Sequence, residues 1–235
     1  MVETKMAMFS MVPLERHHLV TVSQWLLDLD DLSLYDRSIR VPMSDDALRN
    51  AWLGPDEGSS QDRYWFSVTS EDDRLVAVVG LEKVSFINRD AVVPMFVEKA
   101  FRRRGIGVRC LSLVMDVAFR QLGLQRLTSY LREDNDASRS LTERVGFQRE
   151  GCMRQAWFSG GQHLDMLVVG VLRQEWMERR KVLAEELDPR TIVMFGGDTS
   201  GRWSWPPVKQ QGKLRDAKAR RRGIGRSLRV KSPRA

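Results

Sequence analysis

One stretch of about thirty residues limits the possible folds of this chain more than any other. An apolar run, Ala91-Val92-Val93-Pro94-Met95-Phe96-Val97, reads as a buried strand. The hexapeptide Arg102-Arg103-Arg104-Gly105-Ile106-Gly107 follows, after which Val108, Leu111, Val114, Ala118 and Leu122 recur at helical spacing. A strand, a basic glycine turn and a helix start together form an anion cradle. The turn amides and the positive end of the helix dipole converge on one spot, and glycine lets a phosphate approach the backbone. Two familiar phosphate motifs are excluded. A dinucleotide fingerprint needs a glycine where Cys110 stands, and no Gly-Lys-Ser/Thr follows for a nucleotide-triphosphate loop.

Downstream, a strand-like stretch at 125–131 leads into Asn135-Asp136-Ala137-Ser138, then Gly146-Phe147, Glu150-Gly151, Arg154, Gly161 and Asp165. In the order Arg-x-x-Gly-x-Gly, Asn-x-x-Ser, Gly-Phe, Glu-Gly, Arg, Gly, Asp, the sequence resembles the GNAT superfamily of acetyl-coenzyme-A-dependent N-acetyltransferases, in its RimJ/RimL-type branch. The likeness covers roughly residues 8–178 and is densest over 91–176. It implies an α/β (α+β) fold with a mixed, bent central sheet and helices on both faces.

The periodicities place strands at 7–12, 64–70, 75–83, 89–97 and 125–131, and a hairpin of 147–158 with 163–172. Helices are expected at 15–27, after the cap Ser44-Asp45-Asp46, at 106–122, at 137–145 and from Leu172 to Leu187. Asp28, Asp30, Asp31 and Asp36 are expected in a loop at the acceptor lip, where they either attract a cationic acceptor or are merely solvated charges. Apolar residues make up 42 % of 235, enough for one full core plus an appendage. Accordingly, 1–178 is the expected catalytic domain, 179–187 an extension of the last helix, and 188–235 a disordered tail. Residues 209–235 carry eleven of the 38 Lys and Arg and one of the 31 acids, leaving the preceding 208 residues at a net −3. The basic isoelectric point thus belongs to the tail, which suits contact with RNA or the ribosome. Its second copy of the hexapeptide, at 220–225, has no preceding strand and is read as coincidence. No apolar run is long enough to span a membrane and no secretory leader is evident, so the expected location is cytoplasmic, as a monomer or homodimer. Cys110 and Cys152 sit in apolar patterns without metal spacing and are expected to be buried thiols; His17, His18 and His163 form no triad, and no metal site is expected.

The resemblance implies that acetyl-coenzyme A is the co-substrate. Its pyrophosphate is expected on the amides of Arg103, Arg104, Gly105, Ile106 and Gly107, with charge from Arg102 or Arg104 and with Gly107 facing the phosphate. Its pantetheine arm is expected against the backbone of Phe96 and Val97 and the amide of Asn135, which can equally cap the following helix. Pro94 stands where relatives have a bulge glycine. Thr142 stands where many relatives place a general-acid tyrosine, so Ser138 is the candidate to protonate or orient the thiolate; an ordinary helix serine is the other reading. Glu82 is the candidate base, with a water chain as the alternative. Arg154 and Asp165 are expected to pair across the hairpin. The acceptor is expected to be a protein or peptide α-amine. A small cationic amine (antibiotic, polyamine or amino sugar) and a ribosome- or RNA-associated role of the basic tail, with or without catalysis, remain as alternatives.

Overall fold

The computed structural model describes residues 6–37, 39, 41–54, 62–196, 198 and 200–208. The basic stretch 209–235, with the second hexapeptide, lies outside them. Ten strands form one sheet: β1 (Ala7–Pro13), β2 (Tyr64–Ser70), β3 (Leu75–Ser85), β4 (Asp90–Val92), β5 (Met95–Val97), β6 (Arg126–Arg132), β7 (Gln148–Ser159), β8 (Gln162–Leu172), β9 (Thr191–Phe195) and β10 (Ser204–Trp205). Their order is β10-β9-β1-β2-β3-β4-β6-β8-β7, with β5 also on β3. The sheet is mixed, since β1 pairs in parallel with β9 and β4 with β6, while the other pairs are antiparallel.

Six α-helices cover the two faces: α1 (Arg16–Trp25), α2 (Leu29–Tyr35), α3 (Asp45–Trp52), α4 (Ile106–Asp116), α5 (Asp136–Val145) and α6 (Arg173–Glu186). One core joins Val108, Leu111, Leu113 and Val114 of α4 and Trp176 and Leu183 of α6 to Ala77, Val79 and Leu81 of β3. A second core lies under α1 to α3, where Leu19, Val22, Leu32, Leu48 and Trp52 meet Trp65, Val78 and Phe96. Because β3 is covered on both sides, it reads as a continuous apolar run rather than an alternating one.

Three expectations change. The aspartate-rich segment is a helix, not a loop. The Asp28 side chain accepts from the Asp30 and Asp31 amides, and acids in the first turn suit the positive helix end. The expected strand 89–97 is divided at Pro94. Val92 opposite Glu82 and Met95 opposite Val79 keep one register on β3, so no bulge occurs there. The break is on the other edge. β6 follows β4 as far as Val92 opposite Thr128, and the Val93 amide makes a last bond to the Thr128 carbonyl at 2.9 Å. Proline then has no N–H to offer. Finally, the described residues of 188–208 are not a disordered tail. Thr191–Phe195 extends the sheet beside β1, and Trp205 is completely buried. A β-branched, apolar run with an apolar partner strand buries enough surface to offset its ordering.

Candidate active site

The division at Pro94 opens the sheet between β5 and β6, and two cavities flank the opening. The first, about 80 Å³, is lined by Pro94, Met95, Leu111, Asn135, Ser138, Leu141 and Thr142 among others. The second, about 380 Å³, is lined by Asp36, Trp52, Arg63, Glu82, Lys83 and Trp157 among others. They meet along a shared wall of Tyr35, Val93, Pro94, Ser129 and Tyr130.

The strand edge beside the first cavity is defined by register. The Gly80 amide bonds the Pro94 carbonyl and the Glu98 amide bonds the Val76 carbonyl, both at 3.0 Å. The intervening pair, Val78 with Phe96, therefore exchanges its bonds within the ladder, and the backbone of Phe96 faces β3. Met95 and Val97 direct theirs into the opening, so Met95 replaces Phe96 as the edge residue there. The Phe96 ring packs instead against Trp25 and Tyr35.

The glycine turn has a left-handed backbone, and its side chains depart from the expectation. Arg103 and Gly105 have φ of 60° and 72°, the left-handed values that coil the backbone ahead of α4. Ile106 is buried beneath it, while Arg103 and Arg104 are exposed. Arg102 is not directed at the turn. It forms a bidentate pair with Asp31 (2.9 and 2.8 Å), and its Nε donates to the Val97 carbonyl at 2.9 Å. A Cβ on Gly107 would meet Met95, Val97 and Leu141 at 3.5–3.6 Å, ordinary contacts with side chains beside the opening. Its hydrogen therefore faces that crevice rather than a phosphate position over the turn.

On α5, Asn135 is the cap. Its Oδ1 accepts the Ser138 amide at 3.0 Å, and its Nδ2 donates to the Leu34 carbonyl at 3.4 Å. Ser138 is half-buried in the first cavity, and its carbonyl accepts the Thr142 hydroxyl at 2.9 Å. Glu82 is in the second cavity. Burial raises its pKa, the Asp36 carboxylate adds to the rise, and Arg63, Trp65 and Lys83 pull the other way without cancelling it. Ser138 and Glu82 thus stand in adjoining chambers rather than in contact.

Residues missed from the sequence complete the wall. Tyr35 ends α2 and lines both cavities; burial, then Glu82 and Asp36, hold its phenol well above the ordinary pKa, so it stays protonated. The end of α2 is fastened over the opening. The Ser33 carbonyl accepts the Trp157 indole N–H at 2.9 Å, and the Ser33 hydroxyl accepts Arg132 at 2.9 Å. Of the acceptor-lip aspartates, Asp28 caps α2 and pairs with Lys99, and Asp31 is committed to Arg102. Only Asp36 lines a cavity.

Asp165 is held by the Gln155 amide at 2.9 Å and by the Cys152 thiol at 3.3 Å, and Arg154 contributes only a weaker charge effect. Cys152 is exposed, contrary to expectation, whereas Cys110 is buried with its thiol pushed up to about 12. Neither lines either of the two cavities. Among the described residues, no group of acids, histidines or cysteines is placed to hold a metal, and no helix is long and apolar enough to cross a membrane.

The acetyltransferase (GNAT) domain family matches residues 10–148, more than half of the chain. This chain belongs to the GNAT family. YdaF of Bacillus subtilis is 30 % identical over 105 residues, covering 45 % of this chain and 57 % of that protein. The ribosomal-protein-serine acetyltransferase of Escherichia coli is 25 % identical over 96 residues, covering 41 % of this chain and 54 % of that one. The chain therefore spans little more than half the length of these curated relatives. Among solved structures, a spermidine N-acetyltransferase from Vibrio cholerae, in complex with CoA and spermine, superposes with a TM-score of 0.64 at 19 % identity, over 72 % of this chain and 98 % of that one. At that identity the likeness shows the GNAT fold alone. The family match ends at Gln148, the first residue of β7, so the rest of β7 and all that follows, α6 included, lie beyond it.

Proposed function

We propose that this GNAT chain transfers an acetyl group from acetyl-coenzyme A to a primary amine, foremost a protein or peptide α-amine, by direct attack in a ternary complex. The observation that carries this reading is the pair of cavities sharing one wall at Pro94. A thioester in the first and an amine in the second would meet at Ser129 and Tyr130. The left-handed backbone at Arg103 and Gly105 suits a pyrophosphate, with its amides as donors and Arg103 or Arg104 as counter-charges. The strand edge at Met95 and Val97 would take the pantetheine amides as an added strand. Asn135 is already occupied as a cap, and it would contact the arm only by releasing the Leu34 carbonyl.

Attack by the neutral amine forms the N–C bond and expels the thiolate. Glu82 would take the amine proton, directly or through water, and its raised pKa brings it closer to neutrality, where a base is most effective. Ser138 would orient the thiolate or hand it a proton. Direct transfer is favoured over an acyl-cysteine because both cysteines lie away from the cavities.

The second reading, a small cationic amine, is favoured by Glu82 and Asp36 lining a chamber of about 380 Å³, large enough for such a molecule. In either case the basic residues 209–235 serve as a polyanion contact. A turnover screen with acetyl-coenzyme A against peptides, ribosomal proteins and small amines tests the assignment. Acetylation of peptide N-termini with at least tenfold higher kcat/KM than any small amine would favour the first reading, and the reverse would favour the second.

A further inference from the structure

Arg109 is the most buried lysine or arginine among the described residues, at 3 % exposure, and it hydrogen-bonds only main-chain carbonyls. Its Nη1 donates to Gly105 at 2.8 Å, its Nε to Thr191 at 2.6 Å, and its Nη2 to Asp188 at 2.6 Å. The first acceptor is the left-handed residue of the glycine turn. The other two belong to the chain that leads into β9, outside the matched family region. The Asp188 carboxylate hydrogen-bonds Arg190 and acts on Arg109 only as a nearby charge, so Arg109 has no hydrogen-bonded anion. A buried guanidinium without a bound carboxylate leaves positive charge directly under the turn.

The same extension grips the far end of α4. Asp116 Oδ2 accepts the Trp205 indole N–H at 3.1 Å, and its Oδ1 accepts Trp176 at 3.1 Å and Arg180 at 2.8 Å. The helix that carries the cradle is therefore held at both ends by chain beyond α5. None of these residues lines the second cavity.

We infer that Arg109 and the 188–205 segment form a built-in support of the phosphate cradle: Arg109 locks Gly105 in its left-handed form and places a buried positive charge beneath the bound pyrophosphate. Arg109 is thus a positioning residue for the co-substrate, acting through Gly105, and the segment after α6 is part of the binding site. This inference rests on the acetyl-coenzyme A reading given above.

The test compares wild type, Arg109→Lys and Arg109→Met in the full chain. The lysine variant keeps the charge and cannot hold three carbonyls as a fork. If Arg109→Met does not fold, Arg109→Lys carries the comparison. The expected result is a KM for acetyl-coenzyme A raised about 10- to 100-fold in Arg109→Met, less in Arg109→Lys, with kcat and the amine KM nearly unchanged. S-acetylpantetheine, which has the thioester but no pyrophosphate, should be used equally by all three. Equal KM values for acetyl-coenzyme A, or an equal loss on both thioesters, would overturn the inference and leave Arg109 as an ordinary structural residue. Wild-type protein that fails to bind acetyl-coenzyme A would instead defeat the acetyltransferase reading, and the inference with it.

Discussion

Trp205→Ala tests whether the segment after α6 belongs to the domain. Trp205 is fully buried, lies 5.3 Å centroid to centroid from Trp176, sits under the Arg180 guanidinium and donates to Asp116. Truncating a core tryptophan typically costs about 3–5 kcal/mol. The lost hydrogen bond adds little, because Asp116 keeps Trp176, Arg120 and Arg180 as donors. For a domain of this size each kcal/mol moves Tm by roughly 2–4 °C, so the expected drop is roughly 6–20 °C. Trp205→Phe keeps most of the buried ring and should lose about 1–2 kcal/mol. Both are read from circular-dichroism melts and urea titrations of the full chain. A Trp205→Ala change below about 0.5 kcal/mol, the usual effect of a surface substitution, would mean that β9 and β10 are not docked.

The remaining expectations concern chemistry and charge. Glu82→Gln should lower kcat/KM by about 10²-fold or more if the carboxylate is the base, and a loss under about tenfold would leave proton removal to a water chain. Because the folded pKa of Glu82 is raised, its contribution to stability is fully present below the ordinary value of 4.5 and is lost as pH rises through the folded value. Glu82→Gln should therefore raise Tm at pH 8 and change it less at pH 4, and a lower Tm at pH 8 would contradict the cause given for the shift. Ser138→Ala should reduce kcat by about 10²-fold with little change in the acetyl-coenzyme A KM, measured at saturating amine; wild-type turnover would return Ser138 to a purely helical role. The full chain should bind ribosomal RNA with steep salt dependence and chain 1–208 far more weakly, in filter-binding titrations, and equal binding would remove 209–235 as the contact.

What could be read before the fold was seen follows the range of the interactions involved. The Ser44 cap, the hairpin of β7 and β8 and the glycine turn before α4 are local, so their residues announce them. The α2 helix is also announced, by Asp28 followed by Asp30 and Asp31 with Leu29 and Leu32, but four aspartates in nine residues suit an acidic loop equally well. Strand β9 has its own apolar run, Thr191-Ile192-Val193-Met194-Phe195, yet its partner β1 lies at the opposite end of the described chain. A parallel pair so far apart leaves no turn signal. The composition of the segment, dominated by Gly, Pro, Ser and basic residues, then outweighed five residues of pattern.

The site shows the same division, and there it bears on mechanism. Motifs could name Glu82, Asn135, Ser138 and the glycine turn, because each belongs to a local pattern. They could not show that Pro94 parts β5 from β6 while leaving the register on β3 intact, and that parting places the two chambers side by side. Nor could they show what the side chains near the cradle were already bonded to. Arg102, expected at the phosphate, instead ties the turn to α2 through Asp31, whose next turn carries Tyr35 to the shared wall. Arg109, which no motif singles out, reaches the turn from below through Gly105. The cradle is thereby fastened from two sides, by α2 above the opening and by the 188–205 segment beneath α4. A pyrophosphate bound there as proposed would meet a backbone ordered in advance, with the ordering cost borne in folding rather than in binding.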